Sequence, residues 1–246
     1  MSTIIGCFIR DLKAGSQHMA LSIIAAFTLA IAVSAVASAP TQSFGEAFSL
    51  LFFGAALPTP DTPFHVPLDW LGLLMCPVFS VAFYPSFDLK KQGSQSVTRA
   101  SSWLSWLIAK MLWVTSVLSL DVVAYLSVAE GLSVLSFLDG NCQMETCRNL
   151  SFILNTVLVL FTFGFCSFAF SLLLSPLIGV VANTLYAVLS SYSCNALLLG
   201  NFAMSERFTM IEAPFNEFLF CPILCLTIIS ASTTLCFLAF PKKDVF

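Results

Sequence analysis

Six apolar runs divide the chain, and each is long enough to cross the roughly 30 Å hydrocarbon core of a bilayer, which takes about 20 helical residues. They fall at about 19–39, 67–86, 103–127, 151–173, 176–198 and 218–240. Charged side chains make up only 9% of the sequence, against about 25% in soluble domains. Such a chain cannot clothe itself in a water-compatible surface. The expected fold class is therefore an all-α membrane protein, one transmembrane domain spanning residues 1–246, with six transmembrane helices.

The remaining segments are short and polar. Residues 1–17 combine Ile4, Ile5, Phe8 and Ile9 with Arg10, Asp11 and Lys13, a pattern for an amphipathic interfacial helix ahead of the first span. Arg10 and Lys13, the apolar run and then Ala37-Ser38-Ala39 imitate a secretion signal. Pro40 directly after the cut and the length of the run argue for a retained span. Ala26, Ala30, Ser34 and Ser38 form a small-residue stripe along that span, which lets another helix approach closely. Phe48 to Leu57 is apolar but too short to cross, so it should pack at the interface or re-enter.

Charge sets the orientation. With the N-terminus inside, Arg10, Lys13, Lys90, Lys91, Arg99, Lys242 and Lys243 are cytoplasmic, while the outer loops hold only Arg148 and Arg207. That asymmetry is the positive-inside pattern, and it puts both termini in the cytoplasm. The densest positive stretch follows Tyr84-Pro85 and contains Asp88, Lys90, Lys91, Gln92, Gly93 and Arg99. It is long enough for a short cytoplasmic helix along the membrane surface between spans two and three. Spans four and five meet at Leu174-Ser175-Pro176, a tight turn.

Few polar side chains lie within the spans. Lys110 and Asp121 are eleven residues apart in span three, close to three helical turns, so they share a face about 16 Å apart. Asp121 is the deeper, and a carboxylate at mid-membrane faces a bundle interior or a cavity. It serves a transport pathway, makes a hydrogen bond to a neighbouring helix, or lies nearer the outer interface. Lys110 is expected to snorkel to the headgroups. Asn155 and Asn183 are expected to hydrogen-bond between helices, while Trp103, Trp106 and Trp113 read as interfacial or packing aromatics. Of nine cysteines, Cys142 and Cys147 lie in a polar loop. They pair if that loop meets an oxidising exterior, or stay as two free thiols.

Several functions are excluded by what is missing. The net charge of −3 argues against nucleic acid, which needs a basic face. Two histidines, His18 and His65, are too few and too scattered for a His-based metal centre. No G-x-x-x-x-G-K-[ST] loop, H-E-x-x-H or G-x-S-x-G motif occurs, so no catalytic residue and no nucleotide site is expected in this chain.

Six spans, an interfacial first helix, a polar cytoplasmic element between spans two and three, and a near-absent loop between four and five resemble the permease subunit of a bacterial type-two ABC exporter. Tyr84-Pro85, Asp88-Leu89, Gly93, Arg99, Trp106 and Lys110 resemble the segment leading into span three of small permeases of that kind. The resemblance implies a plasma-membrane permease, working as a pair of identical or related subunits, for a hydrophobic or amphipathic cargo such as a peptide, lipid or drug. It implies a separate cytosolic ABC ATPase that holds the ATP and Mg. Asp88, Lys90, Lys91, Gln92, Gly93 and Arg99 would be the coupling residues. The alternatives are a proton-coupled secondary transporter using Asp121 and a non-transporting immunity or assembly subunit.

Overall fold

The structure, a computed structural model, describes residues 2–37, 43–57, 65–99, 103–138, 147–208, 210–211 and 217–239. All regular structure among them is helical: α1 (Ser2–Ala14), α2 (Ser16–Ala37), α3 (Phe44–Leu51), α4 (Leu68–Arg99), α5 (Trp103–Leu138), α6 (Cys147–Leu173), α7 (Pro176–Tyr192), a 3-10 turn (Leu199–Ala203), α8 (Ser205–Phe208) and α9 (Glu217–Ala239). Five helices, α2, α4, α5, α6 and α9, are long and apolar enough to cross a membrane. The chain is a multi-pass membrane protein.

α1 presents Cys7 and Asp11 to the bundle, Gly15 just past its end continues the same line, and Ile5 and Ile9 are exposed on the other side. That division suits a helix at the edge of the hydrocarbon. α2 packs on α4 and α5 through Ser22, Ala26 and Ala30. The small-residue seam thus begins one turn earlier than the expected stripe. Ser34 is half-buried with its hydroxyl turned to Ile31 O, and Ser38 lies outside the described residues.

The helix expected to cross fifth is shorter than its apolar run. α7 has 17 residues, about 26 Å at 1.5 Å each. It starts sharply because Ser175 caps Ile178 N–H and Pro176 occupies the first turn. It stops at Tyr192 because the chain downstream has its own polar chemistry. Asn195 Oδ1 accepts from Leu197 N–H at 2.9 Å, and residues 199–204 fold back as a buried short turn.

α4 also departs from expectation. Residues 86–99 do not form a separate surface helix. They continue α4, which has 32 residues, about 48 Å long. Lys90, Lys91 and Gln92 are good helix formers, and a lone Gly93 costs only about 1 kcal/mol, so nothing stops the helix. Pro77 within α4 removes a backbone donor and frees Leu73 O, which Tyr125 Oη satisfies from α5 at 2.8 Å. Ser167 and Ser171 of α6 donate to Val78 O and Ala82 O on the same helix.

The apolar core has two lobes along the bundle. One surrounds Phe48, Phe52, Trp70, Tyr125 and Phe163; the other surrounds Tyr84, Trp106, Trp113 and Phe168, at the end that holds α1. α3 is part of the first lobe, with Ala47, Phe48 and Leu51 fully buried. The short apolar piece after the first span therefore packs into the bundle. A reversal at Gly54, φ 77°, lets it run beside α8, where Ser205 N donates to Phe52 O at 2.9 Å.

Candidate functional site: a buried ionic lock

Three helices bring four charges together. α1 supplies Arg10 and Asp11, α4 supplies Asp88 one turn after Tyr84, and α5 supplies Lys110 between Trp106 and Trp113. The spacing 106, 110, 113 puts all three α5 side chains on one helical face. Lys110 Nζ lies 2.9 Å from Asp11 Oδ1 and 2.7 Å from Asp88 Oδ2. Arg10 bridges the same carboxylates, with Nη2 at 2.8 Å from Asp11 and 3.5 Å from Asp88. Two cations and two anions make the cluster neutral, which lets it be buried. Lys110 and Asp11 are fully buried, and Asp88 is 5% exposed.

Aromatic rings close the cluster. Lys110 Nζ sits 4.6 Å from the Tyr84 ring centroid and 5.5 Å from that of Trp106, both within cation–π range. Tyr84 Oη donates towards Asp11 O at 3.3 Å, and its ring lies against Trp113 with centroids 4.3 Å apart. Gly15 permits this approach, because a Cβ there would stand 2.6 Å from Trp113 Nε1. Burial works against the charged form of Arg10, but the bonds and charge of Asp11 and the charge of Asp88 outweigh it and raise the guanidinium pKa.

Lys110 therefore does not snorkel, as the sequence led one to expect. Snorkelling wins when the nearest stabilising partner is the headgroup layer. Here two carboxylates reach the ammonium directly, and one comes from α1, which is folded back onto α5. Asp88, read as a partner-facing coupling residue, is turned inward. Lys90, Lys91, Gln92, Gly93 and Arg99 lie on the continuation of α4 beyond it.

Further along α5, Asp121 is 1% exposed and held by Ser22 of α2, whose Oγ stands 2.8 and 3.0 Å from its carboxyl oxygens. No cation pairs with it among the described residues. Asn183 Nδ2 reaches across from α7 to Phe163 O at 3.4 Å. Asn155 is 1% exposed, and neither amide atom has a hydrogen-bond partner among the described residues. The expected interhelical bond is thus present for Asn183 and not for Asn155. Cys142 lies outside the described residues and so does any pairing with Cys147, the first residue of α6.

A second charged site stands at the opposite end of the bundle. Arg207 of α8 is fully buried. Its five N–H groups find five acceptors: Nε to Ala55 O at 2.6 Å, Nη1 to Ser190 O at 2.8 Å and Asn201 Oδ1 at 3.2 Å, and Nη2 to Ala56 O at 3.1 Å and to Ser191 O. Burial pulls its pKa down. Ser190 and Ser191 close α7, so the guanidinium also sits at the negative end of a helix dipole and caps it. In the sequence Arg207 stands out only as an outer-loop charge. A lone arginine just after the apolar Phe202-Ala203-Met204 was the available signal.

No group of three or more metal-ligating side chains occurs among the described residues. No protein-family model matches the chain, and neither does any curated protein or solved structure.

Proposed function

We propose that this chain is the membrane-spanning permease subunit of an ATP-driven exporter for a hydrophobic or amphipathic cargo, paired with a second permease subunit and driven by a separate cytosolic ATPase. The observation that carries the reading is the form of α4. One unbroken helix runs from the bundle past Asp88 into an eleven-residue polar tail, 89–99, rich in Lys and Arg. At the root of that tail, Asp88 is tied to α5 and α1 by buried ion pairs. A push on the tail cannot be absorbed by a flexible joint and is passed to three helices together. The positive charge favours the cytoplasmic side for this tail, where an ATPase would meet it.

The test is co-purification. The native chain should bring down a P-loop ATPase of roughly 25–35 kDa, an ordinary domain size. Replacing Lys90, Lys91 and Arg99 together with Glu should release it while the chain stays folded. Undiminished association in the triple variant would contradict the assignment.

One observation favours a second reading. Among the described residues Asp121 is a buried acid held by the Ser22 hydroxyl alone, the arrangement expected of a group that gains and loses a proton. Transport that follows a pH gradient without nucleotide and disappears in Asp121→Asn would establish that reading instead.

A further inference from the structure

α7 and α9 both pack on α6 but hardly touch each other. Between them lies a cleft of about 270 Å³ with α6 as its floor. Phe163, Phe170 and Ile228 make its lining apolar, and Asn183 breaks the pattern. Asn183 is 6% exposed, its Nδ2 is engaged with Phe163 O, and its amide oxygen has no donor among the described residues. Neighbouring polar groups are already used. Thr162 Oγ1 donates to Leu158 O at 2.8 Å, while Tyr186 Oη donates to Leu197 O at 2.7 Å and accepts from Leu199 N–H at 3.1 Å.

An acceptor left open beside an apolar lining is costly unless a donor arrives. The volume is just below the roughly 300–1,000 Å³ of small-molecule sites, so the slot suits a short hydrocarbon segment or a ring, not a folded peptide. We propose that this cleft binds an apolar molecule carrying one hydrogen-bond donor, a hydroxyl or an amide N–H, which reaches Asn183 Oδ1 while the hydrocarbon lies along Phe163 and Ile228. The inference rests on the transport reading only in taking the occupant for cargo; the binding itself belongs to this chain alone.

The experiment uses the full chain in phosphatidylcholine nanodiscs and dodecanol carrying a photoactivatable diazirine on its chain. The probe should label the α6 and α7 peptides around Phe163 and Asn183. Unlabelled dodecanol should compete about three- to tenfold better than dodecyl methyl ether, the difference of one hydrogen bond. Asn183→Leu should abolish that preference without weakening the ether, and Ala182→Phe, which fills the cleft, should abolish labelling. Equal competition by alcohol and ether in the native chain would overturn the proposal without needing any variant to fold. Labelling that survives Ala182→Phe would overturn it too. Repeating the labelling in phosphatidylglycerol, whose headgroup carries hydroxyls, separates the sources. Unchanged labelling supports cargo, and a tenfold loss makes the occupant bilayer lipid and overturns the cargo assignment. None of these readouts involves an ATPase, so the co-purification test and this one fail independently.

Discussion

Lys110→Met is the sharpest probe of the ionic lock. Methionine keeps most of the side-chain volume, so the packing loss should stay below about 1.5 kcal/mol. The electrostatic loss is larger. The ammonium stands within 2.9 Å of both Asp11 and Asp88, and without it two buried carboxylates share Arg10, which is 3.5 Å from Asp88. Removing one member of a buried pair costs about 3–5 kcal/mol, because the partner's charge is stranded away from water. Asp88→Asn alone should cost a similar amount, because it leaves two cations, Lys110 and Arg10, sharing the single carboxylate of Asp11. The double variant leaves Arg10 with Asp11 and restores neutrality, so its cost should fall short of the sum by at least about 2 kcal/mol. Reversible unfolding in mixed micelles measures all three, with the exposed Lys13→Met as a control expected within about 0.5 kcal/mol of the native chain. A cost below about 1 kcal/mol for Lys110→Met, or strict additivity in the double variant, would refute the argument.

Arg207→Met should cost about 3–5 kcal/mol in the same assay, since it strips donors from five acceptors. Arg207→Lys should recover only part of this, because three donors on a point charge cannot reproduce the planar fork. Gly15→Ala should destabilise by about 1–3 kcal/mol through overpacking, since its Cβ would press on Trp113 Nε1 at 2.6 Å and Asp11 O at 2.9 Å; thermal unfolding in detergent reads it. Asp121→Asn should change stability by less than about 1 kcal/mol, because an amide oxygen can still accept from Ser22 Oγ.

The five long apolar helices were legible because apolar length is a one-dimensional property that survives without knowledge of packing. The turn at Ser175-Pro176 was legible for the same reason, as local cap chemistry. What the sequence hid was distance. Asp11 lies 99 residues before Lys110, and nothing along the chain says that an interfacial helix will fold back onto the third long one. The spacing of Cys7, Asp11 and Gly15 on one face was the available hint, and it is easily read as an ordinary amphipathic pattern. The shortfall of α7 was hidden likewise, because the arginine that caps its last carbonyls enters from 15 residues downstream of its end. The continuity of α4 is hidden for a different reason. A polar run with a glycine looks like a linker, yet most of its residues favour a helix and none forbids one.

The lock fixes an order of events during biosynthesis. At about 5–20 residues per second, Asp11 is added to the chain some 5–20 s before Lys110. During that interval the first helix has no ammonium to meet, and its carboxylate must stay hydrated. It can settle only when the helix bearing Lys110 arrives. Any change that drew that carboxylate inward early would strand it alone, so the amphipathic character of the first thirteen helical residues acts as a waiting position for a partner not yet made.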